Sequence, residues 1–536
     1  MSTDDQNCVP GAAEACRSTG GIPSADEIWD WQNQLVSLGP KYTGNLGHSR
    51  YIDWLCERFA DIPGFTLKRD RLTFNRWLAR DYSLSITMPT QDHPHPVAVT
   101  FYYPYSGTTS EAGVTGRLVD LGVYPPIRAT SATGNSPEFW APARGAIALV
   151  RTAPSTFSLA TGQIPIGGYE PGKSSAQAAA DYHAYAACLT NPVWQGIFSP
   201  IPLLDAKNAG VLALVCAWTG MPDEEVINQY NPFTTPYPSA SLVATPDDPG
   251  CPALWVGQST GSALARQAAT GQAIATLVLT AEVTVGAATE TVWGWLKGSA
   301  TTTENMIINT HTDGPNATEE NGGLGLLALA KHFATLPARN RDLYFVLVTG
   351  HFQLPQFTHT ISPVRPTAGN DAISRWMHDH PDIYHQAVAG ITVEHLGCTM
   401  WRNDPATGTY TATGGYEWNT TYTAPRNNTV NTVNAEHNAY LSALASVNHS
   451  GWPNFPTATV LPGAIPLYLG EGAPLYAAGL GTVSLIPLPT YLLQAGDTRH
   501  PEQLNLDKLD KNLMYGQILT CANTIETLNR TPTNTL

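Results

Sequence analysis

Charge is scarce in this sequence. Lys, Arg, Asp and Glu together make up 13% of its 536 residues, about half the share of a typical soluble domain. Basic residues are the scarcer kind, 28 against 43 acidic, for a formal net charge of −15 with no basic run. That balance argues against nucleic acid and anionic membrane as partners, and points to a small or neutral molecule. No window approaches the roughly 18 consecutive apolar residues of a spanning helix. The opening "MSTDDQNCVPGAAEAC" lacks the basic and apolar regions of a signal peptide, so a cytoplasmic protein is expected unless an export signal has been trimmed. The eight cysteines show no CxxC and no metal-ligand spacing, which predicts a reduced set. Cys8 and Cys16 would close a small loop only in an exported protein.

Apolar residues are plentiful at 43%, with 46 Gly and 42 Pro, as in a loop-rich globular chain with a substantial core. Residues 1–24 are Gly/Ser/Thr-rich and read as a flexible lead. Ser24 then stands as an N-cap with Glu27 three residues on, and Ile28, Trp31, Leu35 and Leu38 recur at helical spacing. From 289 to 536, apolar strands alternate with helices: "MIINTHTD", "GGLGLLALAKHFATL", "RDLYFVLVTGH", "AISRWMHDH", "AVAGITVEHLG", "NAEHNAYLSALASVN", "GTVSLIPLP" and a final helix at 505–528. This order predicts an α/β fold with a central, mostly parallel sheet covered by helices on both faces. Between 103 and 288, short β-rich runs separated by Pro/Gly loops read as an insertion, so residues 25–102 and 289–536 form one domain.

Function in such sheets gathers at the carboxyl ends of strands. Three strands end in titratable residues: His311 with Asp313, His351, and Glu394 with His395. Glu319, Glu320 and Asn321 open the helix between the first two. Three such strand ends in one domain read as an active site or its relic. "GQSTG" around Ser259 has the form of a nucleophile elbow, but it falls in the inserted segment with no Asp/His pair nearby, so Ser259 is read as structural.

These residues resemble the zinc aminopeptidase family that includes bacterial leucyl aminopeptidase, glutamate carboxypeptidase and glutaminyl cyclase. Segment 103–288 resembles the protease-associated domain that several members carry, here expected to form a lid. The resemblance makes His311 a metal ligand and Asp313 its orienting residue. It places Glu320 at the metal-bridging position, His351 at the general base, and Phe352, Glu394 and Leu493 at the remaining ligands. One ligand is thus retained, two are Asp-to-Glu exchanges, and two side chains cannot bind zinc, which takes N, S or carboxylate O donors.

A two-zinc centre in the usual form is therefore not expected. The leading expectation is metal-independent acid–base chemistry on a small, partly apolar molecule: dehydration, isomerisation, cyclisation or hydrolysis. In it Glu320 and Glu394 share a proton, His351 and His395 relay it, and His311 with Asp313 orients the cluster. Phe352, Trp401 and Glu471 are expected to line the substrate pocket. Two alternatives stay open. One is an amide hydrolase or cyclase with a single zinc on His311, Glu320 and Glu394, with His351 or His395 recruited beside them. The other is a non-catalytic binding protein, as the transferrin receptor is among relatives of this family. A homo-oligomer also stays open.

Overall fold

The computed structural model describes residues 21–90, 92–124, 137–152, 165–170, 172–187, 191–198, 201–230, 250–299, 302–365, 370–404, 407–424, 426, 435–449, 457–460 and 468–536. The core of the sheet is parallel. Strand Asn305–His311 pairs in parallel with Asp342–Val348 on one side and Ala387–Val393 on the other, and Ala387–Val393 pairs in parallel with Gly481–Leu485. Strand Asn419–Ala424 then continues the sheet antiparallel. All seven residues of Asn305–His311 are buried, as both faces of a parallel sheet require.

Side-chain alternation sends Met306, Ile308, Leu343, Phe345 and Leu347 to one face. There they pack with helices Ala25–Ser37, Leu46–Ala60, Gly322–Thr335 and Lys511–Arg530. Ile307, Val346 and Val348 point to the other face, against helices Ile373–Asp379 and Gly472–Ala477. Each such apolar side chain contributes about 1.5–3 kcal/mol on burial. Ser24 caps the first helix through Glu27 N at 3.2 Å. The last helix starts at Lys511, later than expected, because Asp510 is its N-cap and accepts from Leu513 N at 2.8 Å.

Two 23-residue strands, Phe65–Thr87 and Ile274–Leu296, pair antiparallel and run beyond this sheet. Past them, Val114–Val123, Ile147–Arg151, Ala213–Ala217 and Ala253–Val256 form a second parallel ladder. Residues 165–169 join the opposite edge of the sheet instead, pairing with Thr457–Val460. Cys56, Cys216, Cys251, Cys398 and Cys521 are buried free thiols. Cys8 and Cys16, with most of the expected flexible lead, lie outside the described residues. Among the described residues, no helix is long and apolar enough to cross a membrane.

Close packing of helix Gly322–Thr335 on the sheet holds the strand ends in place. A Cβ on Gly322 would sit 2.1 Å from Thr310 Oγ1 and 2.2 Å from Val393 O. Gly322→Ala is therefore expected to destabilise by about 1–3 kcal/mol, despite a helix-propensity gain of up to about 1 kcal/mol. Equilibrium urea unfolding checks this, and an unchanged midpoint would contradict the packing argument.

Candidate active site

The three strand ends converge as the sequence suggests. The His311 and His351 rings stack with centroids 4.0 Å apart and planes 13° from parallel, and the His395 ring lies 6.3 Å from His311, edge to face. His311 Nδ1 is bonded to the backbone carbonyl of Asp313 at 2.8 Å, while its Nε2 is buried with no hydrogen-bond partner. Burial, reinforced by His351 and His395, keeps this imidazole well below its ordinary pKa and so neutral. His395 adopts φ of 56° and donates Nδ1–H to Pro487 O at 2.7 Å. Its Nε2 then faces Glu319 Oε2 at 3.0 Å and Glu394 Oε2 at 3.9 Å. Burial opposes a charge on His395, but the Glu319 carboxylate overcomes it and raises the group.

Glu394 is buried at the end of its strand and accepts from Glu471 N at 3.0 Å. Burial lifts its carboxyl to about 6 against the pull of His395 and His351. Glu319 sits in a turn fixed by Asn316, whose Oδ1 accepts from Thr318 N and Glu319 N at 2.9 and 3.0 Å. Asn316 Nδ2 in turn donates to the carbonyls of Tyr491, Leu492 and Gln494.

Glu320 points elsewhere. Its Oε1 pairs with Lys41 Nζ at 3.1 Å. Burial raises its carboxyl to about 7, Lys41 pulling the other way. The expected Glu320–Glu394 carboxyl pair is thus not what the strand ends bring together: the glutamate facing His395 is the neighbouring Glu319. The close carboxyl pair is Asp371 with Glu471, both held to His351 Nδ1, at 2.8 Å from Asp371 Oδ1 and 3.0 Å from Glu471 Oε1. Against the effect of burial, His351 keeps Asp371 low, whereas burial and Asp371 push Glu471 well up. Although burial opposes it, Asp371 raises His351.

Asp313 does not orient His311 through its carboxylate. It accepts from Thr43 Oγ1 at 2.6 Å and from the backbone N–H groups of Gly350, His351 and Phe352 at 3.2–3.3 Å, so it fixes the turn that presents His351. Phe352 packs edge-on to His351 at 5.2 Å and tilted to Tyr230 at 5.7 Å, where Tyr42 and Tyr105 continue an aromatic wall. Trp401 packs instead on Tyr410, with the Lys508 ammonium over its ring. Leu493 is fully buried. Ser259 is an exposed helix residue whose Oγ and backbone N donate to Asp223.

Asp371, Lys41, Tyr42, Tyr105 and Tyr230 are site residues that no sequence motif marks. Glu319 was visible in "EEN", but nothing local tells which of two adjacent glutamates faces the cluster.

Histidines and carboxylates thus gather at the strand ends of a large mixed sheet with a parallel core, an aminopeptidase-like fold by its similarity to solved structures. A peptidase M28 precursor from Shewanella amazonensis superposes with a TM-score of 0.61 at 14% identity, covering 97% of each chain. BSAP, a zinc aminopeptidase from Bacillus subtilis, gives 0.57 at 13% identity over 96% of this chain and 98% of that one. An aminopeptidase from Aneurinibacillus sp. strain AM-1 gives 0.54 at 15% identity over 95% of each. No family model and no curated protein matches by sequence. The chain has the aminopeptidase-like fold over nearly its whole length.

BSAP is a zinc aminopeptidase, and the donors present in this chain decide whether such an ion would fit here. Phe352 and Leu493 offer nothing to a metal. His311, Glu394 and His395, however, bring one ligand atom each within 4.8 Å of one another, all buried. Two imidazoles and one carboxylate are the donors of a catalytic zinc site with one position left open. Each of the two histidines spends Nδ1 on a backbone carbonyl, the outer contact that fixes a ligating ring, and His311 Nε2 is otherwise orphaned. One ion fits this set.

Proposed function

We propose that this chain is a metal-dependent hydrolase acting on an amide or ester of a small, partly apolar molecule. A single divalent ion would be held by His311, Glu394 and His395. The observation that carries this reading is the pair of buried histidines tied through Nδ1 to Asp313 O and Pro487 O, with a Glu394 carboxylate oxygen within 4.8 Å of a ring nitrogen of each. A zinc ion at such a site polarises a carbonyl and acidifies water.

The chain's own groups supply the rest. Glu319, buried beside His395, accepts the proton that the attacking water gives up. Glu471 N–H holds Glu394 in place, and Asp313 fixes the turn at 350–352. Phe352, Tyr230 and Tyr105 keep bulk water out and favour an apolar or aromatic group over a charged one. Segment 103–288 acts as the lid: Tyr230 N donates to Leu493 O and Ala495 N to Asn228 O, both at 2.8 Å, so the loop that holds Leu493 anchors the segment.

A second reading, metal-free acid–base chemistry, draws support from the Glu319–His395 ion pair and from the His351–Asp371–Glu471 cluster. In that reading the cluster carries the shared proton first expected of Glu320 and Glu394. Chelation separates the two. Removing metal is expected to lower turnover of a panel of aminoacyl and acyl nitroanilides by at least about 10²-fold, with zinc restoring it. Unchanged turnover in protein shown to be metal-free would leave the second reading standing.

A further inference from the structure

Beside the proposed ion site, the region holds more buried carboxyl groups than lysines and arginines to pair with them. Asp313, Glu319, Glu320, Asp371, Glu394 and Glu471 are all buried. Among the described residues, Lys41 is the one lysine or arginine that ion-pairs with any of them. Lys41 answers Glu320, while Thr43 and three backbone N–H groups answer Asp313. An ion on His311, Glu394 and His395 would answer Glu394 and Glu319. Asp371 and Glu471 share His351, with one backbone N–H on each, Ala372 N on Asp371 and Ile373 N on Glu471, and a buried carboxylate is costly unless it is paired. One imidazolium balances one carboxylate and leaves the other to stay protonated, whereas a divalent cation balances both in their ionised form.

The donor geometry suits that cation. His351, Asp371 and Glu471 each offer a ligand atom within 4.8 Å of the others. The two N···O separations, 2.8 and 3.0 Å, are within a few tenths of the ~3.3 Å between neighbouring donors in a tetrahedral site with bonds of about 2.0 Å. Both carboxylates are steadied from outside, Glu471 Oε2 by Ile373 N at 2.7 Å and Asp371 Oδ1 by Ala372 N at 2.8 Å, as ligating carboxylates are. A further observation points the same way. The orphaned Nε2 belongs to His311, the ring stacked on His351, and His311 also groups with Glu319 and His351 within 4.8 Å. His311 therefore links the first cluster to His351.

We propose that His351, Asp371 and Glu471 form a second divalent-cation site, selective for a borderline ion such as zinc. None of the three stands at a position to which the aminopeptidase resemblance assigns a metal ligand. The proposal rests on the one-ion reading above for its neighbour but not for its own ligands.

Metal content separates the two. Full-length protein saturated with zinc, freed of loose metal by gel filtration and analysed by plasma mass spectrometry is expected to hold two equivalents. Asp371→Ala and His395→Ala should each hold one. One equivalent in the parent chain, lost in His395→Ala and kept in Asp371→Ala, would overturn the second site and spare the first. One equivalent lost only in Asp371→Ala would support the second site and overturn the first. None in the parent chain would overturn both. Should Asp371→Ala fail to fold, cobalt titration of the unmodified protein decides. Two resolved steps in the visible absorption support the proposal, and a single step ending at one equivalent overturns it.

Discussion

Glu319→Gln is expected to lower kcat by about 10²–10⁴-fold, the usual loss when a general base is removed, while KM and bound metal change little. The amide matches the carboxylate in size and keeps the backbone bond to Asn316 Oδ1. What disappears is a buried proton acceptor, 3.0 Å from His395 Nε2. Glu320→Gln is the matched control, one residue along the same turn. Its side chain faces Lys41, so it should alter stability and leave kcat close to that of the parent. Steady-state kinetics on the two variants, read together with metal content, tests the assignment. A large kcat loss in Glu320→Gln with none in Glu319→Gln would reverse it. A kcat loss in Glu319→Gln accompanied by loss of metal would make Glu319 a ligand instead of a base.

That pair of glutamates marks the limit of what the sequence discloses. Strands Asn305–His311, Asp342–Val348 and Ala387–Val393 were legible because an uninterrupted apolar run that stops at a titratable residue has few other structural meanings. The convergence of His311, His351, Glu394 and His395 follows from that pattern and from parallel pairing. Glu319 and Glu320 lie in a turn, where no period of two or 3.6 says which side chain points inward. The choice is made by Asn316, through bonds to a loop more than 170 residues away. Asp371 was illegible for a related reason: it precedes a short helix, and only the packing of that helix under Gly472–Ala477 brings it to His351. A close carboxyl pair was readable as a type from the density of carboxyls, but its residues, Asp371 and Glu471, were not. Trp401 shows the reverse error. An aromatic near the motif need not face the site, and its ring is occupied by Lys508.

Lys41→Met is expected to cost about 3–5 kcal/mol, the range for removing one partner of a buried ion pair. Lys41 and Glu320 are both 0% exposed. The ammonium also donates to Leu35 O at 2.5 Å and Gly39 O at 2.7 Å. Methionine fills much of the same space but leaves a carboxylate and two carbonyls unanswered. The loss should depend on pH, with a definite sign. The Glu320 carboxyl, raised by burial to about 7 in the folded chain from an ordinary 4.5, binds more protons folded than unfolded between those values. Stability from this group therefore falls as pH rises from 4.5 through 7. Without the ammonium, which pulls that carboxyl down, the falling window extends above 7. The variant's penalty should consequently be smaller near about pH 6 than near about pH 8. Urea unfolding of the metal-free protein at both values reads the difference without linkage to an ion. Adding Glu320→Gln removes the buried carboxylate, so the double variant should regain part of the lost stability and lose the extra pH dependence. A pH-independent loss below about 1 kcal/mol, in the range of an exposed pair, would show that Lys41 and Glu320 are not desolvated together.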